Sequence, residues 1–399
     1  MSTESFNIIV SGGGMVGMAV ANALAQSDFK VTVIESRRPQ SFDISQDYDL
    51  RVSAVTLETV DFLKNIDVWD SVIGTRTCSL KAMRVWEESG FGDVTFDAKT
   101  IEEDNIGFIV ENRILQLALW EKAKSDANIK IFCPETHTNI HVDNDQVEVT
   151  LSNGEKIYSK LLVGADGARS SIRDQFSFGV NSKQYDQSCL VANACVVNNS
   201  QNITWQRFTP SGPQAYLPLD DNTGSIVWYD SAEAIQSYVD LSNEDLSKKI
   251  MREFPREIGK VVIKDKASFP IFKQHVEKYV LDNVTLVGDS AHVINPLAGQ
   301  GVNLGFQDAE CLSRILKAAR DRSENWASSR SMIKYERERY FHNSAMMNLM
   351  NVFYYGFSND NHSLKLARNL ALSFGNFQPI NKMIGKLGAG KLKSKLFAE

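Results

Sequence analysis

The sequence predicts an α/β chain in which a parallel-sheet domain is interrupted by an antiparallel sheet and followed by a helical C-terminal segment. Three observations predict it. A short apolar run at residues 6–10 passes through Gly12-x-Gly14-x-x-Gly17 into a helical pattern and a second apolar run. Strand-then-turn stretches ending in Asp166-Gly167 and Gly288-Asp289 recur far downstream. Between them, from about Asp186 to Pro270, apolar residues alternate with period two, as half-buried strands require.

The first element, "FNIIVSGGGMVGMAVANALAQSDFKVTVIES", reads as a strand, a glycine turn, a helix from Met15 to Gln26 and a strand from Lys30 to Ile34. Val16, Val20, Ala23 and Leu24 share one helical face. Gly12 makes the tight turn, Gly14 lets a pyrophosphate approach the backbone, and Gly17 permits close packing of helix on strand. The helix N-terminus offers unpaired N–H groups and a positive dipole end to an anion. Glu35, 21 residues after Gly14, is placed to accept from ribose hydroxyls. A glycine turn alone is a weak sign. Between two strands, with an acidic residue closing the second, it reads as a Rossmann-like dinucleotide site.

The second element, "KLLVGADGARSSIRDQF" (160–176), is a strand, a turn at Asp166-Gly167, and a helix start with Ser170 and Arg173. The third, "NVTLVGDSAHVINPLAGQGVNLGFQDAECL" (283–312), is a strand, Gly288-Asp289, and a glycine loop entering a helix. Glycine costs about 1 kcal/mol against alanine inside a helix. Gly299, Gly301 and Gly305 beside Pro296 therefore imply that the backbone itself must come close to something. A nicotinamide dehydrogenase has no use for the second and third elements. An extended FAD, touching protein along its whole length, does.

Composition narrows the class. At 399 residues, the chain is long enough for two domains or one with a large insertion. Hydrophobic residues at 43% and charged residues at 23% are ordinary for a globular protein, and a net charge of −6 argues against a general nucleic-acid binder. The five cysteines, Cys78, Cys133, Cys189, Cys195 and Cys311, form no CxxC pair, so neither zinc nor a disulfide framework is expected and a reducing cytoplasm fits. No secretory signal or run of about 18 apolar residues is present. No metal is expected.

The three elements, in this order and spacing, resemble those of the class A flavoprotein aromatic hydroxylases over nearly the whole chain. The resemblance implies an FAD-binding domain of the p-hydroxybenzoate hydroxylase type. It would be discontinuous, over residues 1–75, 105–180 and 277–330, with a substrate-binding β-sheet domain over 76–104 and 181–276 and a helical segment over 331–399. "HVINPLAGQGVNLGFQD" (292–308) is similar to the signature of the ubiquinone-biosynthesis hydroxylases within that class. "DLRVSAVT" (49–56), "FIVENRILQLALW" (108–120), "TWQRFTPSGPQAYLPL" (204–219), "SIVWYDS" (225–231) and "FYYGFSND" (353–360) narrow the resemblance to the branch acting on demethoxyubiquinol, a polyprenylated benzoquinol. The implied activity is FAD-dependent monooxygenation of that ring through a flavin C4a-hydroperoxide. O₂ is the cosubstrate and NADH or NADPH the reductant, although no second phosphate-binding motif marks a nicotinamide site.

The resemblance also assigns residues. Asp289 reaches the ribityl hydroxyls, and Pro296, Gly299, Gln300, Gly301, Val302 and Asn303 carry the flavin's pyrimidine end at a helix N-terminus, which favours the anionic reduced ring. Arg51 approaches the cofactor. Asn112 stands where many relatives carry an arginine near the adenosine half, a departure from the pattern. Asp166 and Arg173 either hold the pyrophosphate region or pair with each other. A quinol ring is already electron-rich, so no general base is assigned; His292, three residues beyond Asp289, is the one candidate. His275 and His342 have no motif around them and read as structural.

In the middle of the chain, Trp205, Phe208, Tyr216, Leu217 and Trp228, with Tyr229, are candidates for the floor of an aromatic pocket, although alternation sends neighbouring side chains to opposite faces. The helix "NEDLSKKIMREF" interrupts these strands. From Asn361 to Ala398 there is no acidic residue, while seven lysines and arginines accumulate among apolar side chains. Three readings are open for this segment: an amphipathic element on an anionic membrane surface, making the protein peripheral on the inner face of the plasma membrane; a helix docking on a partner of a ubiquinone-biosynthesis complex; or a packed helix with a solvated lysine face. Competing functions are a sister hydroxylase acting at another ring position and a catalytically silent FAD-binding scaffold. A flavin halogenase lacks its WxWxIP segment here, and the glycine loop argues against a geranylgeranyl-type reductase.

Overall fold

The structure, a computed structural model, describes residues 4–143, 146–197, 203–295, 301–357 and 362–391. The parallel sheet expected around the glycine turn is its centre. Strands Val284–Leu286, Leu161–Gly164, Ile8–Ser11, Val31–Ile34 and Ile129–Phe132 lie side by side in parallel, with the short strand Val280–Leu281 antiparallel at one edge. The strands Ile8–Ser11, Val31–Ile34 and Leu161–Gly164 are buried at every position, as a sheet covered on both faces demands. Helices Met15–Ala25, Asn112–Lys124 and Gly301–Asp321 pack together on one face. A four-stranded sheet, Glu4–Ser5, Lys156–Ser159, Gln146–Leu151 and His137–Asp143, covers the other through Ile140, Val147, Val149 and Ile157.

The period-two region forms an eight-stranded sheet. Its order is His292–Val293, Lys260–Val276, Val180–Val197, Thr223–Ser231, Gly212–Pro218, Ile203–Thr209, Ala82–Glu87 and Asp93–Asp97. All pairs are antiparallel except Ile203–Thr209 with Ala82–Glu87. One face is capped by the expected helix at Asn243–Glu253 and by Ala232–Asp240, whose amphipathic turn "AEAIQSYVD" the alternation on either side had masked. The other face meets the helix Ser329–Phe357, with Tyr185, Cys189, Tyr229 and Ile271 clustered against Met350, and reaches the Tyr48 segment where Asn193 Nδ2 donates to the Tyr48 carbonyl at 2.7 Å. The α/β class, the inserted antiparallel sheet and the C-terminal helices are therefore as the sequence predicts.

The last two helices, His362–Phe374 and Gln378–Gly388, rest on the strand Asp93–Asp97 and the turn that follows it. Basic residues here are paired, one in the interior and the others at the surface. Arg368 is buried against Glu87 at 2.5 Å, Lys382 pairs with Glu102, and Lys391, just beyond them, pairs with Asp61. Apolar side chains also face outward: Leu366, Leu370, Phe374 and Phe377, then Met383, Ile384 and Leu387. Among the described residues, no helix is long and apolar enough to cross a membrane.

Candidate cofactor and active site

The glycine turn has the geometry its spacing implies. Gly12 sits at φ +111°, where an L side chain is strained, and a Cβ there would collide with the carbonyl of Ala165 on the neighbouring strand. A Cβ on Gly17 would strike the Gly12 carbonyl, so helix and strand pack as closely as backbone allows. Gly14, which begins the helix, has open space where its Cβ would be. That opening lies at a helix N-terminus whose first N–H groups have no intrahelical acceptor.

The peptide of Gly13 is held from three sides. Its N–H donates to Glu35 Oε2 at 2.6 Å. Its carbonyl accepts from Trp120 Nε1 at 2.7 Å and Gln116 Nε2 at 3.2 Å. Glu35 Oε1 accepts from the N–H of Arg37 and from Ser36. Glu35 thus closes the turn. Trp120 and Gln116 were missed as site residues; their i,i+4 spacing, which puts them on one helix face, was the available signal.

Asp166 and Arg173 do not pair. Asp166 Oδ2 accepts from the N–H groups of Ser171 and Ile172 at 2.8 and 3.2 Å, capping the helix Ser171–Gln175. Its Oδ1 accepts from Ser290, whose hydroxyl in turn takes the N–H of Gly167. The second and third elements are therefore stitched together. Arg173 is buried and reaches Asp174 and the carbonyl of Ala168.

Asp289 follows Gly288, whose φ is +58°. Its side chain is open to solvent although protein surrounds it, so the carboxylate faces a cleft. Confinement there raises its pKa, while His292 and Arg51 pull it back down. Arg51 is exposed, and among the described residues its guanidinium has no hydrogen-bond partner. The backbone carrying it is clamped. The N–H of Asp49 donates to Glu111 Oε1, Arg113 grips the Asp49 carboxylate at 2.5 Å, and Asn112 N–H donates to the Arg51 carbonyl. Arg76 holds the buried Glu111 with two bonds of 2.8 and 2.9 Å. Asn112 itself spends its side-chain oxygen on Ser53 at 2.6 Å, so its part in the site is to start the helix and fix Arg51. Arg76 carried no motif in the sequence, and Glu111 lay within the segment at 108–120 without being singled out.

Pro296, Gly299 and Gln300 lie outside the described residues. Beyond them, Gly301 opens the helix with only Ile294, 4.0 Å away, near the position of a Cβ. Val302 follows it, half-buried. Asn303 is committed elsewhere: its oxygen takes the Thr59 hydroxyl at 2.8 Å and the Thr56 N–H at 3.1 Å, and its nitrogen gives to the Ala54 carbonyl. The Asn303 side chain is therefore spent within the protein, and what this residue can offer a ligand is its backbone. Gly305 answers to packing, because a Cβ there would lie 2.5 Å from Val16.

His292 is not placed as a base. It is 2% exposed, and its Nε2 lies 2.5 Å from Asp308, which is fully buried. Burial opposes the charge on Asp308, but His292 and Arg339 outweigh it and hold the carboxyl well below the usual carboxylate range. An ionised carboxylate only accepts, so Nε2 carries the proton it gives to Asp308 and Nδ1 is the basic atom; burial of the whole ring, at 2% exposure, is what keeps it from a substrate. His275 and His342 belong to the same interior, hydrogen-bonded to Tyr279 and Arg339.

The aromatic floor expected of the large sheet divides by alternation. Trp205, Tyr216 and Trp228 pack with Phe254 and Ile250 beneath the two capping helices, on the face turned away from the nucleotide-binding domain. They are core. Phe208 and Leu217 point the other way: Phe208 stacks on Phe357, and Leu217, like Tyr48 and Val52, packs against the cluster of Leu80, Ile109 and Leu219. Tyr229 also faces that side, against Met350. Among the described residues, no group of three or more His, Cys, Asp or Glu could hold a metal ion.

The open Gly14 turn, the Glu35 carboxylate, the Asp289 carboxylate in the cleft and the helix start at Gly301 are what the described residues offer a nucleotide: helix dipole ends suited to negative charge and two carboxylates able to accept from hydroxyls. The chain belongs to the FAD-binding domain family, whose model matches residues 5–349. It is 40% identical to the 3-demethoxyubiquinol 3-hydroxylase of Escherichia coli (strain K12), covering 93% of this chain and 95% of that one. It is 31% identical to the ubiquinone biosynthesis monooxygenase COQ6 of Xenopus tropicalis, over 95% of this chain and 92% of the relative. Its fold matches the crystal structure of p-nitrophenol 4-monooxygenase PnpA from Pseudomonas putida DLL-E4 with a TM-score of 0.79 at 17% identity, covering 98% of this chain and 100% of that one.

Proposed function

We propose that the protein is an FAD-dependent monooxygenase that hydroxylates the ring of demethoxyubiquinol in ubiquinone biosynthesis. The observation that carries this reading is the full-length 40% identity to the hydroxylase of that name, on a chain whose glycine turn and cleft carboxylate suit FAD. Bound FAD supplies the activation of O₂, with NADH or NADPH as the reductant. The chain's own residues do the rest. The Gly14 turn and helix receive the pyrophosphate, Glu35 accepts from the ribose, and Asp289 accepts from the ribityl chain, each a charge-assisted bond or one aimed by a dipole. The helix start at Gly301 would offer N–H groups and a positive dipole end to the negative charge of a reduced flavin ring. Leu217, with Tyr48 and Val52, offers an apolar wall on the cleft side of the sheet, suited to a quinol ring and the start of an isoprenoid tail. No side chain is needed as a base, since the quinol ring is itself electron-rich.

The partner side of the reading is peripheral attachment to an anionic membrane surface, where a polyprenyl substrate resides. It is supported by the outward apolar side chains of helices 362–374 and 378–388 in a stretch without acidic residues. Flotation with anionic vesicles, lost on Phe374→Ser/Phe377→Ser, is the expected outcome; equal flotation of the variant would remove this element. Ring position is tested in a bacterial strain lacking its own demethoxyubiquinol hydroxylase. Expression of this chain restores ubiquinone and clears the demethoxy intermediate. Persistence of that intermediate with folded, flavin-loaded protein would shift the reading to a sister ring position.

A further inference from the structure

The strongest feature outside the nucleotide-contacting residues is a buried polar network centred on Asp308. Its carboxylate accepts four hydrogen bonds: from Gly288 N–H at 2.9 Å, His292 Nε2 at 2.5 Å, Arg339 Nε at 2.7 Å and Asn343 Nδ2 at 3.2 Å. Arg339 is 3% exposed and also binds the Leu304 carbonyl at 3.3 Å, Gln307 Oε1 at 3.1 Å and Asn343 Oδ1 at 2.8 Å. Two of these partners, Leu304 and Gln307, lie in the first two turns of the helix that begins at Gly301.

From this geometry we infer that Arg339, on the C-terminal helix Ser329–Phe357, is a positioning residue for the flavin. It acts through Asp308 on the Gly288-Asp289 turn and directly on the first turns of the helix at Gly301. The inference rests on the reading that these two elements receive FAD. The physical reason lies at the start of the turn: Ser290 is tied to Asp166 and Gly167 on its far side, while the peptide entering Gly288 depends on Asp308. Gly288 is in the left-handed region, and of its backbone groups the N–H is held by Asp308 alone. Four donors on one carboxylate fix both its orientation and its charge. Without Arg339 the buried carboxylate keeps three donors but loses its guanidinium and one side of its orientation, and its hold on the Gly288 N–H weakens. Asp289 is the next residue, so a small rotation of that peptide displaces the carboxylate in the cleft. A helix outside the nucleotide-binding core thereby becomes part of the cofactor site.

The test compares two buried ion pairs of the same kind. Arg339→Met breaks the pair beside the turn, and Arg368→Met breaks the Arg368–Glu87 pair that ties helix 362–374 to the large sheet. FAD dissociation constants are measured by quenching of flavin fluorescence, at a temperature where circular dichroism shows each apoprotein folded, and the visible flavin band is recorded. Arg339→Met is expected to weaken FAD binding about 10- to 100-fold and to shift the band toward free flavin, with Arg339→Lys recovering part of both. Arg368→Met is expected to stay within about twofold of the parent while losing thermal stability. If Arg339→Met does not fold, Asn343→Leu, which removes one of the four donors, is expected to weaken binding about 3- to 10-fold. Parent-like affinity and spectrum in the folded Arg339 or Asn343 variant, or an equal loss in Arg368→Met, would overturn the inference. A parent protein that binds no FAD would overturn the functional reading instead.

Discussion

Removing the two donors to the Gly13 carbonyl tests whether side chains or the glycines alone shape the dinucleotide turn. Trp120 is 3% exposed and gives that carbonyl its shorter bond, 2.7 Å, while Gln116 gives the longer, 3.2 Å. Trp120→Phe forfeits one hydrogen bond, a net loss of about 0.5–1.5 kcal/mol. The smaller ring adds a void worth about 1–2 kcal/mol. Gln116→Leu leaves Trp120 in place and is expected to cost about 0.5–1 kcal/mol. In the double variant the carbonyl is stripped of both donors inside the protein, so an extra penalty of about 1–2 kcal/mol is expected beyond the sum. Urea unfolding of the four apoproteins measures this coupling without a contribution from bound ligand. FAD affinity follows from fluorescence quenching, and a weakening of about 10-fold in the double variant is expected as the neighbouring Gly14 N–H loses its aim. Additive costs and unchanged FAD affinity would refute the reasoning, leaving the glycines as sufficient.

Three further outcomes follow from the structure. Asp289→Asn removes a charge-assisted acceptor worth about 1.5–3 kcal/mol, so FAD affinity is expected to fall about 10- to 150-fold with little change in apoprotein stability; equal affinity would place the ribityl chain elsewhere. Burial and the neighbouring His292 push the pKa of His275 down to about 4, and His137 and His342 shift the same way. The unfolded chain therefore binds protons between pH 6.5 and about 4 that the folded state refuses, so stability is full above 6.5 and is lost as pH falls through that window. His275 accounts for about 1–2 kcal/mol of this after solvent screening is allowed for, and His275→Gln flattens that part of a urea-unfolding series at pH 7, 6 and 5. A flat series in the parent protein would contradict the burial argument. Finally, Leu217→Asn is expected to raise KM for a short-tailed quinol several-fold with stability nearly unchanged, whereas Trp228→Ala lowers stability by about 3–5 kcal/mol with KM unchanged in the folded fraction. The reverse pattern would put the ring on the other face of the sheet.

The nucleotide-binding half was legible because its chemistry is written in backbone. Gly12, Gly14 and Gly17 had to be where they are for steric reasons that local sequence states, and Glu35 and Asp289 end strands whose apolar runs are unambiguous. The rest depends on partners distant in the chain. That Asn303 would be spent on Thr56 and Thr59, or that Gly305 would answer to Val16, follows from helix packing across almost the whole sequence. The aromatic floor divided for a related reason. Alternation shows that Tyr216 and Leu217 face opposite ways, but not which way is the cleft. Which C-terminal lysines and arginines are paired could not be read locally, because their acidic partners, Glu87, Glu102 and Asp61, lie some 280 to 330 residues away.

The central claim is hydroxylation of a demethoxyubiquinol ring at a bound flavin. The most direct measurement records the visible spectrum of the purified protein, then incubates it with NAD(P)H, ¹⁸O₂ and a short-tailed demethoxyubiquinol and weighs the product. The account predicts a flavin spectrum, substrate-dependent NAD(P)H oxidation and a product carrying one atom of the labelled oxygen on the ring. A flavin-loaded, folded protein that leaves the quinol unlabelled would contradict it.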